Sequence, residues 1–202
     1  MVVFMSLNIA LRIWLPAQGA LHVPWLAPLI EGVMIVVLLT SDPANREERI
    51  RLRRFALFLV GLFVAAALWS TGLLIRDLIE GEGVTQAPDE LLASGALVWL
   101  GNNIAFALLY WLIDGGGPTA RAGRSVPIDF AFTQHMSPEL APPGWRPVFL
   151  DYLHLGFTNA TAFSPTDVMP LTHRAKAAML VQSTIALALF GLIVARAVNA
   201  FT

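Results

Sequence analysis

The stretch NATAFSPTDVMP, residues 159–170, concentrates amide, hydroxyl and carboxylate groups between two apolar parts of the chain. Oxygen atoms of these types are the ligands that hard cations prefer. Thr158, Asn159 and Thr161 end a short apolar segment, and Asp167 follows a few residues later. These side chains predict that an ion is coordinated where the chain turns between the two apolar parts.

Each of these residues also has a purely structural interpretation. Asp167, in SPTD ahead of an apolar run, suits a helix N-cap or a surface carboxylate paired with Arg174. The hydroxyl and amide groups at the end of the short segment suit hydrogen bonding to local backbone. Gln182 and Ser183, one to two turns into the last apolar run, suit either the lining of a vestibule or packing between helices. Asn102 and Asn103, in the middle of another run, predict interhelical hydrogen bonding.

Other kinds of chemistry find no support in the residue pattern. The chain has no cysteine, which excludes thiolate metal sites and a cysteine nucleophile. No hydrolase elbow, phosphate loop or metalloprotease pattern occurs, and the histidines lie at no metal-ligand spacing. The net charge of −1 and the lack of a basic face argue against nucleic acid as a partner. We therefore predict no enzymatic activity, no cofactor and no metal site.

The composition indicates a membrane protein. Of the 202 residues, 56% are hydrophobic and 13% are charged, against roughly 25% charged residues in an ordinary soluble domain. The apolar residues fall in long runs instead of at amphipathic spacing, which predicts several crossings of a lipid bilayer. The predicted fold class is an all-α membrane protein with four to five transmembrane helices, multi-pass in the inner (plasma) membrane.

Five apolar runs are the candidate transmembrane helices, and they lie at about 1–15, 25–40, 55–75, 91–113 and 172–199. The first three belong to an N-terminal region, residues 1–90, and the last two to residues 91–202. The third and fourth runs have about the twenty residues that cross a hydrocarbon core of roughly 30 Å. The first is shorter and is interrupted by Arg12, so it fits a short embedded or interfacial helix as well as a span.

The charges of the connecting segments predict the orientation in the membrane. Residues 41–54 carry five arginines and residues 114–147 carry three. Residues 76–90 carry one arginine against five acidic residues. By the positive-inside rule, the first and last of these segments are cytoplasmic and the middle one is external.

The long segment 114–147 is predicted to be a cap on the membrane surface. Its glycine run ends the preceding helix, and its prolines keep the chain extended or turned. Ile128, Phe130, Phe132 and Trp145 are too many side chains of the buried type for a free linker.

A helix is predicted over residues 148–160, followed by a filter-like loop over residues 161–170. The helix is too short to cross a bilayer, and Asp151 and His154 would be unfavourable against lipid. Irregular backbone at membrane depth is tolerated only where protein buries it or where it lines a wet cavity. A short helix, a polar turn and a returning helix therefore predict a re-entrant element beside a cavity or pore.

Residues 148–199 resemble the pore-loop module of tetrameric cation channels of the two-transmembrane, potassium-channel-like type. The order of outer helix, turret, pore helix, filter and inner helix matches. So do the threonines that end the pore helix, Asp167 at the filter exit, Pro170 three residues on, and Arg174 with Lys176 at the start of the inner helix. The chain also resembles uncharacterised bacterial inner-membrane proteins that close with a similar phenylalanine-threonine-aspartate loop. The resemblance implies a homotetramer around one pore.

The filter departs from that family. A potassium filter is a TVGYG loop whose carbonyls replace the hydration shell of the ion. The equivalent positions here are Ala162, Phe163, Ser164, Pro165 and Thr166. Neither filter glycine is present and the proline fixes its own φ, so potassium selectivity is not expected. We expect a wider, hydroxyl-lined path for monovalent cations, with Asp167 as a carboxylate ring at its mouth and with Gln182 and Ser183 on the inner helix as lining candidates.

Two questions stay open at this level. In potassium channels the pore loop enters from outside, whereas the loop charges place it on the cytoplasmic side, so either the module is inverted or the charge rule fails here. The function also has alternatives from other classes. These are a non-conducting membrane scaffold or assembly subunit with a channel-like fold, and a small-solute transporter.

Overall fold

The computed structural model describes residues 46–80, 88–123, 127–161 and 167–200. It is mostly helical, at 81%. Two long helices come first, α1 (Arg46–Glu80) and α2 (Pro88–Ile113). A short 3-10 turn and α3 (Pro118–Gly123) follow, and then β1 (Phe130–Phe132), α4 (Thr133–Met136) and a second 3-10 turn (Pro138–Leu140). The chain ends with α5 (Phe149–Thr161), β2 (Val168–Pro170) and α6 (His173–Ala200).

Three of the described helices are long and apolar enough to cross a membrane, over Ile50–Leu73, Gly95–Gly116 and His173–Ala195. They correspond to the predicted runs at 55–75, 91–113 and 172–199. The runs at about 1–15 and 25–40 lie outside the described residues. The prediction of a helical membrane protein is confirmed to this extent, and the fourth and fifth spans stay predictions.

The chain divides into two compact units, one of Met1–Val98 with Leu189–Thr202 and one of Trp99–Ala188. In the first, α2 and α6 approach closely, because a Cβ added at Gly95 would lie 2.3 Å from Cδ1 of Ile193. The second unit contains the cap, α5 and the facing parts of α2 and α6. All residues of the candidate site lie in this second unit.

The buried positions of the helix α5 follow a helical period. Its buried residues are Tyr152, Leu155, Gly156, Asn159 and Ala160, which is the i, i+3, i+4, i+7, i+8 pattern of one helix face. At its start, the backbone N–H of Val148 donates to Oδ2 of Asp151 at 2.7 Å, which satisfies one of the free donors of the first turn. The predicted helix over 148–160 is thus present, displaced by one residue.

A two-stranded sheet is the exception to the all-helical prediction. β1 and β2 pair antiparallel, with Ala131 opposite Met169 and Phe132 opposite Val168. All three residues of β1 are buried. The end of the predicted filter-like loop, 168–170, is therefore strand. This segment pairs with the apolar strand of the cap, because two extended segments side by side satisfy each other's backbone N–H and C=O groups.

The cap is an ordered structure, as its apolar side chains predict. Phe130 and Phe132 are buried. The rings of Phe132, His135 and Trp145 contact one another edge to face, with centroids 5.2–5.9 Å apart. Burial lowers the pKa of His135, and the charge of Asp114 opposes this only in part. The imidazole thus belongs to the aromatic packing of the cap.

Candidate functional site

A buried hydrogen-bond network joins α5 to α2 and α6. Nδ2 of Asn159 donates to Oε1 of Gln182 at 2.8 Å and to the carbonyl of Met179 at 3.0 Å. The hydroxyl of Tyr110 donates to the same Oε1 at 2.6 Å. All three polar side chains are at most 2% exposed. A side chain from each of the three helices thus meets at one oxygen atom.

The remaining polar atoms of this network also have partners. Nε2 of Gln182 donates to the carbonyl of Gly156 at 3.0 Å and contacts Oδ1 of Asn103 at 3.4 Å. The hydroxyl of Ser183 lies 3.1 Å from Oδ1 of Asn159 and 2.9 Å from the carbonyl of Met179. Buried polar groups with full hydrogen bonding fix one geometry, because leaving any of them unsatisfied is unfavourable.

Gly156 allows α5 to approach α2 this closely. A Cβ at this position would lie 3.2 Å from the backbone carbonyl oxygen of Asn103, 3.5 Å from Nε2 of Gln182 and 3.7 Å from Cβ of Ala107. The nearest of these atoms belongs to the backbone of a long helix and cannot move alone. Small residues at helix contacts of this kind are typical of membrane proteins.

The network lies deep along the candidate spans. Gln182 follows His173, the first residue of its span, by nine residues, which is about 14 Å along a helix axis. That is close to half of a hydrocarbon thickness of roughly 30 Å. Asn159 follows Tyr152 by seven residues, or about 10 Å of helix. The carboxyl-terminal half of α5 is therefore bonded near the middle of the candidate span His173–Ala195.

A second cluster lies where the same spans end. Nε and Nη2 of Arg174 donate to Oδ1 and Oδ2 of Asp129, both at 2.6 Å. The hydroxyl of Thr172 and the N–H of Gly115 donate to the same carboxylate, at 2.6 and 3.1 Å. Nη2 of Arg174 also donates to the carbonyl of Ile113 at 3.2 Å. The end of α2, the cap and the start of α6 are thus held together by one carboxylate.

The carboxylate of Asp129 is fully buried. Burial alone would raise its pKa, but hydrogen bonds from Arg174, Thr172 and Gly115 outweigh burial and hold the pKa below its ordinary value. The group is therefore an anion in the folded protein.

Asp114, which directly follows α2, is the carboxylate that contacts α5. Its Oδ1 accepts the backbone N–H groups of Asp129 and Phe130, at 2.7 and 3.2 Å. Its Oδ2 accepts the hydroxyl of Tyr152 at 2.5 Å. Arg121 lies 3.8 Å from the same oxygen and donates to the carbonyls of Trp111 and Asp114. Since Tyr152 lies in the first turns of α5, this contact places that end of α5 level with the end of α2.

At Asp167 the chain is again beside the first turns of α5, near the end of α2. Its Oδ2 lies 3.1 Å from Nδ1 of His154, and its carbonyl accepts the N–H of Thr133 at 3.1 Å. His154 precedes Thr161 by seven residues, about 10 Å of helix, and the six residues from Thr161 to Asp167 can reach about 20 Å. Asp167 takes neither of the two structural roles that the sequence suggested, which were an N-cap of α6 and an ion pair with Arg174. Arg174 binds Asp129, and Thr172 caps α6 through the N–H of Ala175 at 3.3 Å.

The predicted site residues fall into four groups. Asn159, Gln182 and Ser183 come together in the buried network, where they face the interior of the single chain. Thr158 and Thr161 direct their hydroxyls to carbonyls of their own helix. Asp167 lies apart from the buried network, beside His154. The filter-like positions Ala162, Phe163, Ser164, Pro165 and Thr166 lie outside the described residues.

Reasoning from the sequence did not identify four residues of these two clusters. Tyr110 and Tyr152 look like ordinary apolar positions, and Asp114 and Asp129 look like loop carboxylates. One signal in the sequence pointed to Asp114. It directly follows the apolar run 91–113, and a carboxylate at the end of such a run needs hydrogen-bond donors. Among the described residues, no group of three or more acidic or histidine side chains is placed to hold a metal ion.

Comparison of the chain with protein-family models, with curated proteins and with solved structures finds no match in any of the three.

Proposed function

We propose that this chain is one subunit of a cation-conducting membrane channel, in which α5 and the segment after it form a re-entrant pore loop. One observation carries the proposal, namely that Asn159 near the end of α5 is hydrogen-bonded to Gln182, about 14 Å into the next candidate span. A thirteen-residue helix bonded at that depth enters the membrane without crossing it.

The two ends of α5 support a loop that enters and returns on one side. Tyr152 is bonded to Asp114 at the end of α2, and Asp167 is back beside His154. A backbone that turns at membrane depth needs either burial by protein or contact with water. On this proposal the segment between Thr161 and Asp167 borders the ion path.

The uncovered surfaces support closure by further copies of the chain. The outer face of α5 leaves His154, Phe157 and Thr161 exposed. On α6, the side opposite the buried network is also uncovered, and Ala177 and Thr184 lie there beside the larger Leu180 and Leu187. Small residues allow close packing between membrane helices, and ionisable groups at this depth face protein or water. Four copies around one axis would meet both needs, with Asp167 of each copy at the mouth.

A non-conducting membrane scaffold is the second candidate. The observation that favours it is the full satisfaction of Asn159, Gln182 and Ser183 within one chain, which leaves these three groups no free capacity to replace water around an ion. On this alternative, α5 is a plug that keeps the shape of a pore loop without conducting.

Ion flux in proteoliposomes tests the proposal. Purified protein should carry ohmic, cation-preferring current, and Asp167→Asn should move the reversal potential towards zero because a carboxylate at a pore mouth concentrates cations. Glu139→Gln removes the same charge from an exposed site in the cap and is the matched control. It should leave the reversal potential unchanged.

Three outcomes would overturn the channel proposal. Absence of flux at every ionic gradient would favour the scaffold. Saturable uptake of a solute without ohmic current would indicate a transporter. A monomer in detergent and in lipid would exclude a path that several pore loops surround. An equal reversal potential in Asp167→Asn and the unmodified protein would remove Asp167 from the mouth.

A further inference from the structure

The ends of two candidate spans define the level at which the boundary between lipid and water would lie in the second unit. The candidate spans Gly95–Gly116 and His173–Ala195 end and begin there. Nη2 of Arg174 donates to the carbonyl of Ile113 at 3.2 Å, so the two span ends lie side by side. The polar zone of a bilayer extends only about 5–8 Å beyond each end of the hydrocarbon core.

Among the uncovered apolar side chains near this level, three precede α5 or α6 by at most four residues. Met169 is 54% exposed and Leu171 is 52% exposed, and both lie within four residues of His173. The N–H of Leu171 donates to the carbonyl of Asp129 at 2.8 Å, which ties this strand end to the boundary. Val148, 60% exposed, immediately precedes α5. Exposed apolar groups so near to span ends lie within the interfacial zone of a bilayer.

A cation accompanies them. Lys176 is exposed in the first turn of α6, inside the candidate span. An ammonium group there extends back towards the interface, where lipid phosphates are its nearest counter-ions. An apolar surface with an adjacent cation matches acyl chain and phosphate of one lipid better than it matches a second apolar protein face.

We propose that Val148, Met169 and Leu171 form an interfacial collar that inserts into the glycerol and upper acyl region of the bilayer, while Lys176 binds a lipid phosphate. The occupant is a glycerophospholipid, with preference for an anionic headgroup. The collar seats the cap on the membrane and holds it at the level of the two span ends. This inference does not depend on whether the chain conducts ions.

The absence of cysteine makes a direct depth measurement straightforward. Val148→Cys, Met169→Cys and Leu171→Cys are each labelled with an environment-sensitive fluorophore and reconstituted in phosphatidylcholine with phosphatidylglycerol. Lipids that carry a nitroxide near the glycerol should quench each label about twofold more than lipids with a nitroxide near the chain end. Phe58→Cys, 66% exposed and about 12 Å into the candidate span Ile50–Leu73, is the control and should show the reverse order.

Two results at the collar would overturn its lipid contact. Strong quenching by aqueous iodide with none by lipid nitroxides would place the residues in water. Protection from both quenchers would show that protein covers them, as in contact with a second copy. For the phosphate contact, Lys176→Gln should reduce the phosphatidylglycerol that the protein retains in native mass spectrometry. His173→Gln, one helical turn earlier and also exposed, is the control and should reduce it less. Equal retention by Lys176→Gln and the unmodified protein would overturn that part.

Discussion

Nδ2 of Asn159 lies 2.8 Å from Oε1 of Gln182, which bonds a helix of thirteen residues near the middle of the candidate span that follows it. Tyr110 reaches the same oxygen atom from a third helix. Because each of these groups is buried, their contacts decide how α5 is oriented relative to α2 and α6. The stability of that arrangement can be tested separately from any function.

Replacing the shared acceptor should weaken the docking of α5. Gln182→Leu keeps the size of the side chain but leaves Tyr110 and Asn159 without their common acceptor. We expect the free energy of unfolding to fall by about 1–2 kcal/mol, since interhelical hydrogen bonds in membranes are individually modest but several are lost here. Thermal unfolding in detergent measures the change.

Thr184→Val is the control for this substitution. Its hydroxyl is exposed and bonds only to the carbonyl of Leu180 in its own helix, at 2.9 Å. It should shift the unfolding midpoint little. If Gln182→Leu proved as stable as Thr184→Val, the network would not hold α5.

Adding a single methyl group to α5 at Gly156 should also lower the stability of the fold. Gly156→Ala places Cβ about 3.2 Å from the backbone oxygen of Asn103, so α5 and α2 have to separate. Alanine is intrinsically the better helix former by about 1 kcal/mol, and a lower unfolding midpoint would mean that the contact outweighs this preference.

Gly101→Ala gives the matched comparison, because nothing lies within 4 Å of a Cβ at that position. It should be neutral or slightly stabilising in the same thermal measurement. An increase in stability for both alanine variants would contradict the close approach of α5 to α2.

Acid should remove the contribution of Asp129 to stability. The pKa of this carboxyl is lower in the folded protein than its ordinary value, so its contribution is complete above pH about 4 and is lost as pH falls through the folded pKa. Asp129→Asn should lower the midpoint near neutral pH by several degrees. The loss should correspond to about 2 kcal/mol, less than the roughly 3–5 kcal/mol of a fully buried pair, because Arg174 is half exposed to water.

The pH dependence of that difference is the decisive measurement. Unfolding midpoints of the unmodified protein and of Asp129→Asn should converge as pH falls, because a protonated aspartate resembles asparagine. A constant difference down to the lowest accessible pH would mean that the anion at Asp129 does not stabilise the fold.

The cap should lie on the cytoplasmic side of the membrane. The arginines of residues 41–54 and 114–147 predict this orientation by the positive-inside rule. Glu139→Cys, at an exposed position, should therefore react with a membrane-impermeant thiol reagent in inside-out vesicles and not in intact cells. Thr85→Cys, in the acidic segment 76–90, should show the opposite pattern. Labelling of Glu139→Cys in intact cells would show that the charge rule fails for this chain.

The sequence by itself determined the membrane character and most of the helix positions. Runs of about twenty apolar residues have only one stable conformation in lipid, because backbone groups there must bond within their own segment. The apolar positions between Val148 and Phe157 likewise predicted α5 to within a residue. The apolar side chains of 114–147 predicted an ordered cap without predicting its strand.

The tertiary structure alone decided which polar groups meet. Asn159 and Gln182 are separated by 23 residues, Tyr110 and Gln182 by 72, and Asp129 and Arg174 by 45. The sequence therefore could not show that Gln182 faces the interior of its own chain. Nor could it show that Arg174 binds Asp129 while Asp167 lies beside His154. Residue types indicate what a side chain can bind, but packing decides which of several suitable partners lies within hydrogen-bonding distance, because a buried polar group accepts any arrangement that satisfies it.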